Sequence, residues 1–147
     1  MQNLLNSVFV SLKLAALILF SLAFTAIAQA QNARITDPAI LQNGQQLFLQ
    51  NCAACHGQQA QGLTENWKQA GADGKYPAPP LNGTAHTWHH SAKGLVSTIQ
   101  NGTIGIGGNM PAWKGKLSKR DSLHIVIWLT SLWPEEVYQA WWKRNKK

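Results

Sequence analysis

The stretch Cys52-Ala53-Ala54-Cys55-His56 decides how the rest of this chain is read. Two cysteines spaced C-x-x-C, with a histidine directly after the second, form the attachment signature for a c-type haem. The spacing has a chemical reason. The two thiols add across the two vinyl groups of the porphyrin, so they must sit one helical turn apart, and the adjacent histidine is carried under the ring to bind iron as proximal ligand. A bare C-x-x-C is shared by redox dithiols, zinc sites and simple disulfides. Here the two cysteines are the only ones in 147 residues, which excludes a four-cysteine zinc site within the chain. No strand pattern flanks the motif, as a thioredoxin-like dithiol would require. The haem reading leads, and a disulfide is the alternative.

The amino terminus reads as a leader. Leu14 to Phe24 is apolar apart from Ser21, preceded by Lys13 and followed by Thr25-Ala26-Ile27-Ala28-Gln29-Ala30. That is the h-region of a signal peptide over residues 1–30, with cleavage after Ala28 or Ala30. The competing reading is an uncleaved anchor from Leu4 to Ala28. Lys13, Asn6 and the short apolar core argue against it, because a membrane span needs about 20 apolar residues. Export to the periplasm suits the motif, since covalent haem attachment takes place outside the bacterial cytoplasmic membrane. The chain carries a net charge of +7, and removing the leader takes away Lys13 and nothing acidic. A basic surface favours redox partner proteins with acidic docking surfaces or an anionic membrane. In an exported haem protein nucleic acid ranks last of the three, and no nucleic acid partner is expected.

Asp37-Pro38 reads as a helix start, with Asp37 as N-cap and Pro38 at the first helical position. Ile40, Gly44, Leu47, Phe48 and Asn51 follow at helical spacing and lead into the cysteine motif. Gly44 within that helix predicts close approach by another element. Residues 57–80, punctuated by glycine and proline, read as loop with one turn of helix from Glu65 to Ala70. So long a loop is unusual in a compact domain, but a cofactor can serve as its core. Ser91 to Gln100 forms the next helix, with Leu95, Val96 and Ile99 inward and Asn101-Gly102 closing it. A flexible glycine-rich stretch, Gly102 to Gly108, precedes Asn109-Met110-Pro111-Ala112-Trp113. Ser118 caps a strong helix reaching Leu132, with Ile125, Trp128, Leu129 and Leu132 on one face. Pro134 starts a last helix whose acidic first turn and basic end suit the helix dipole.

A haem iron ligated by one histidine has a second axial position, and methionine there suits electron transfer. Met110 is the only methionine beyond the leader, set beside a proline between a glycine-rich loop and a strong helix. The alternative is a gap-filling core methionine.

From Asp37 to Leu132 the sequence resembles a class I (monohaem) bacterial cytochrome c. The resemblance rests on the Gly44/Phe48 helix, Cys52-Ala53-Ala54-Cys55-His56, Pro79-Pro80-Leu81-Asn82-Gly83, Asn109-Met110-Pro111 and the aromatic C-terminal helix, in that order. It implies an all-α cytochrome c fold of four to five helices wrapped around one covalent haem c, over residues 31–133. It implies that Gly44 and Phe48 meet Ile125 and Trp128, that the Pro79 carbonyl accepts the Nδ1–H of His56, and that Leu81 packs on the ring. Residues 134–147 extend past the family core as an aromatic and basic helix.

Several residues have two readings. His86, His89 and His90 could bind copper or zinc, could contact the propionates, or could belong to a solvated loop opening the next helix; the last is favoured. Trp113 covers the haem edge and donates to a propionate, or is an ordinary core tryptophan, and the same choice holds for Trp67 and Trp88. His124 is expected at a surface or boundary position. Val137, Tyr138, Trp141 and Trp142 line one side of the extension, which packs back on the body or else docks on a membrane or partner. The expected function is a periplasmic, monomeric one-electron carrier ligated by His56 and Met110, without enzymatic activity of its own. The alternatives are an electron-transfer subunit of a larger oxidoreductase, or a haem sensor or copper-handling protein.

Overall fold

Asp37 and Pro38 open the first helix as their order predicts. The computed structural model describes residues 34–146, and α1 runs over Pro38–Asn51. The Asp37 carboxylate accepts the amides of Ala39 (2.9 Å) and Ile40 (3.3 Å), while Pro38 brings no N–H in need of a partner. A short helix α2, Ala53–His56, follows at once. Then come α3, Ala92–Asn101, α4, Lys119–Ser131, and α5, Glu135–Asn145. The described residues contain no strand, so the all-α expectation holds. The leader expected over residues 1–30 lies outside the described residues. Residues Ile35–Lys147 form one compact unit.

Helix α4 is the axle. Ser118 and Asp121 close a capping box at its start: the Asp121 amide donates to Ser118 Oγ (3.0 Å) and the Ser118 amide to Asp121 Oδ2 (3.0 Å). From Ile125 to Thr130 every residue is buried, as happens when a helix is enclosed by neighbours on all sides. Helix α1 crosses it at Gly44, where a Cβ would fall on the His124 carbonyl oxygen and 2.9 Å from Trp128 Cβ. The missing side chain lets the two backbones meet, and Phe48 then packs on Trp128 with ring centroids 4.7 Å apart. Helix α3 is pinned to the start of α4 by Gln100, whose buried amide donates to the Leu117 carbonyl (3.0 Å) and to Ser122 Oγ (2.7 Å).

Two apolar clusters result. The larger holds Phe48, Cys52, Ala60, Ile99, Leu117, Ile125 and Trp128. The smaller is aromatic, built from Trp133, Tyr138 and Trp141, with Trp88 and Leu95 packed on it. It fixes the C-terminal extension onto the body, the packing alternative of the two weighed above.

Three local expectations are corrected. Glu65 to Ala70 forms tight turns rather than a turn of helix. Thr64 Oγ1 takes the Asn66 amide (3.2 Å), and such side-chain bonds compete with helical pairing. The glycine-rich stretch contains a 3-10 turn, Ile104–Ile106. His86–His89 is likewise a 3-10 turn rather than open loop.

Candidate haem-binding site

Helix α1 delivers the cysteine motif. It ends because Cys52 leaves helical geometry, at φ −123° and ψ −31°, and its carbonyl accepts the amides of Cys55 (3.1 Å) and His56 (3.0 Å) to start the next turn. Both cysteines are free thiols, Cys52 buried and Cys55 exposed. Burial, followed by the neighbouring Cys55, pushes the Cys52 thiol up to about 11. Redox dithiols need the opposite, a lowered pKa that yields thiolate.

His56 is buried, and its Nδ1 lies 3.0 Å from the Pro79 carbonyl oxygen. A carbonyl only accepts, so Nδ1 carries the proton and the neutral ring presents an unprotonated Nε2. Burial lowers the pKa of His56 despite the opposing pull of the Pro79 bond, which favours the neutral, coordinating form.

Met110 is held by its own neighbourhood. Its amide donates to Thr103 Oγ1 (3.1 Å) and its carbonyl accepts the Thr103 amide (2.8 Å). The turn works only with glycine at position 102, whose φ is +67° and whose Cβ would come within 2.6 Å of the Met110 carbonyl oxygen. Half-buried Leu81, Leu95, Val96, Met110 and Trp113 all pack on the cluster containing Cys52.

These residues fit a covalent haem. Two unjoined thiols stand one turn apart, and an adjacent imidazole has its Nδ1 proton already committed. A thioether and several apolar side chains lie half-exposed on the same cluster.

The other candidate residues go elsewhere. His86 stacks on Trp67 (5.4 Å, 21°) and meets the edge of His90 (5.6 Å), while His89 turns onto Trp88 (4.1 Å). Burial, then His90, His89 and Lys68, lowers the pKa of His86. Among the described residues no three histidine, cysteine or acidic side chains are grouped to hold a metal ion. His124 is half-buried, its Nδ1 2.7 Å from the Asn43 amide nitrogen. Trp113 is half-buried beneath the Lys116 ammonium, 5.6 Å from its ring centroid. The Arg144 guanidinium lies 4.8 Å from the centroid of Trp88.

Thr103, Thr87 and Ala60 escaped the reading of the sequence. Thr87 is buried with its hydroxyl donating to the Pro80 carbonyl (3.1 Å). Ala60, fully buried at φ +56°, offers one carbonyl to the amides of both Leu81 (2.7 Å) and Asn82 (3.2 Å). No local pattern marks such residues, because each acts on a partner far along the chain or in an irregular loop.

The family model for cytochrome c oxidase, cbb3-type, subunit III matches residues 39–129. The chain belongs to this family. It is 34% identical over 101 residues to the Cbb3-type cytochrome c oxidase subunit CcoP of Azospirillum brasilense, covering 69% of this chain and 31% of that protein. The subunit CcoP of Rhodobacter capsulatus is 40% identical over 96 residues, covering 60% and 28%. The chain thus spans about a third of the length of these relatives. Cytochrome c-L of Methylorubrum extorquens is 27% identical, covering 80% of this chain and 52% of that one. Among solved structures, cytochrome CL of Methylophaga aminisulfidivorans MPT superposes with a TM-score of 0.52 at 28% identity, over 72% of this chain and 64% of that one. The resemblance to class I cytochromes c therefore holds for fold and family. Membership of a cytochrome c family implies a covalently bound haem c.

Proposed function

We propose that the chain is a one-electron carrier holding a single haem c through Cys52 and Cys55, with His56 and Met110 as axial ligands. The observation that carries this reading is His56: buried, adjacent to two free thiols, its Nδ1 proton given to Pro79 and its Nε2 left to coordinate. The bound haem supplies a ferric–ferrous couple whose potential depends on axial ligands, hydrogen bonding and burial. The protein's part is to keep both ligands in place, so that little reorganises when the electron moves. Leu81 and Trp113 supply apolar cover beside the ring, and Pro79 orients the histidine. The cytochrome c relatives support a role in carrying electrons rather than in transforming a substrate.

The working place is the periplasm, reached by the leader over residues 1–30. Among the described residues no helix is long and apolar enough to cross a membrane. Family membership and the CcoP relatives favour a second reading, in which this carrier works as an electron-transfer subunit of an oxidoreductase.

Spectra of the protein matured with haem-attachment machinery test the ligation. We expect a low-spin c-type spectrum, unmoved by carbon monoxide in the parent and altered in Met110→Ala. Ready carbon monoxide binding by the parent would overturn methionine ligation, and absence of covalent haem would overturn the whole reading. Stable co-purification with an oxidase from the native membrane would select the subunit over the free carrier.

A further inference from the structure

The segment Pro79-Pro80-Leu81 is gripped one carbonyl at a time by three separate parts of the chain. The Pro79 carbonyl faces His56 Nδ1 at 3.0 Å, the Pro80 carbonyl accepts the Thr87 hydroxyl at 3.1 Å, and the Leu81 carbonyl accepts the Trp133 indole N–H at 2.8 Å. Thr87 and Trp133 are each 3% exposed, so both donors are held by the packed interior.

From this geometry we infer that Thr87 and Trp133 are positioning residues for the imidazole of His56, acting through the proline backbone. The inference rests on His56 being the iron ligand. The plane between Pro80 and Leu81 is held at both ends, by Thr87 on its carbonyl and by the Ala60 carbonyl on its N–H. The plane between Leu81 and Asn82 is also held at both ends, by Trp133 and again by Ala60. The plane between Pro79 and Pro80 is different. Its nitrogen belongs to proline and carries no hydrogen, so its carbonyl is its only polar handle, and that handle is spent on His56. Pro80 has its φ locked by the ring, so its ψ is the one soft torsion between the next plane and this one. The two doubly held planes thus set the direction of the Pro79 carbonyl.

That direction matters at the iron. A strong hydrogen bond from Nδ1–H makes the imidazole a better donor and favours the ferric state. Releasing the Pro80 or Leu81 carbonyl lets the Pro79 carbonyl drift and weakens that bond.

The test uses the holoprotein in five forms: parent, Thr87→Val, Trp133→Phe, Thr87→Ser and the control Ser118→Ala. Thr87→Val keeps the shape and drops the hydroxyl, Trp133→Phe keeps an aromatic ring and drops the N–H, and Thr87→Ser restores a donor. The readouts are the reduction potential and the solvent-exchange rate of the His56 Nδ1 proton, seen as a hyperfine-shifted resonance. We expect the two donor-deleting variants to move the ferric–ferrous equilibrium several-fold toward ferrous and to speed proton exchange, with Thr87→Ser returning toward the parent. Ser118→Ala, a destabilising change remote from the segment, should move neither readout. Unchanged potential and exchange in whichever donor-deleting variant folds would overturn the inference, as would an equal shift in Ser118→Ala. A parent without covalent haem or histidine ligation would fail at the first spectrum, and that failure belongs to the proposed function.

Discussion

The loop that supports His56 and the loop that bears Met110, the two proposed axial ligands, are built in opposite ways. The Pro79–Leu81 segment has no hydrogen bonds of its own, and its polar groups are satisfied by α2, by the turn at Thr87, by Ala60 and by Trp133 after α4. The Met110 loop closes on itself, with Thr103 bonding both the amide and the carbonyl of Met110 and also holding the Gly108 amide. Its outer side exposes Ile104 and Ile106. One loop is as firm as the whole fold, and the other is as firm as a local turn. Local structures of few long-range bonds open at lower free energy than the body that bears them. The methionine side is therefore where ligand exchange should begin.

The largest effect should come from breaking what both loops share. Phe48→Ala removes a fully buried ring from the α1–α4 contact and should cost about 4 kcal/mol in chemical denaturation, loosening the two loops alike. A change that spared either loop would show that it folds independently of the helix crossing. Tyr138→Ala strips the aromatic cluster beneath α5 and should cost about 3 kcal/mol. Here the effect should divide: amides of Leu81 and Asn82 should lose hydrogen-exchange protection before those of Met110 and Thr103. Equal loss at both would erase the contrast.

Thr103→Val reverses the emphasis. It removes one bond to the Met110 amide, costs about 1 kcal/mol, and should let carbon monoxide bind the ferrous protein more readily while Leu81 stays protected. The smallest effect serves as a control. Ser118→Ala opens the cap of α4 and should cost about 1 kcal/mol at neutral pH, leaving both loops unchanged. Its cost should shrink in acid. The Ser118 hydroxyl and amide hold the Asp121 carboxyl below its usual range in the folded chain. That contribution is complete above the unfolded carboxylate pKa and disappears as pH falls through the lower, folded value. A Ser118→Ala penalty independent of pH would show that Asp121 adds nothing to the cap.

Much of this was legible in the chain itself. Asp37-Pro38, Ser118 and the apolar spacing from Ile125 to Leu132 place α1 and α4 because caps and helical periodicity are local properties, separated by few residues. Gly44 announced a close contact because a helix keeps glycine at a cost of about 1 kcal/mol only where a side chain cannot fit. The C-x-x-C-H spacing named its cofactor because attachment chemistry demands one helical turn between thiols. What stood beyond reach was decided by packing between distant segments. No pattern links Thr87 to Pro80, Trp133 to Leu81 or Trp141 to the His90 carbonyl, 51 residues apart. Nor could the sequence turn His86 toward Trp67 and His89 toward Trp88. Periodicity says which face of an element is apolar, while the partner of a single donor in an irregular loop exists only once the whole chain has closed around it.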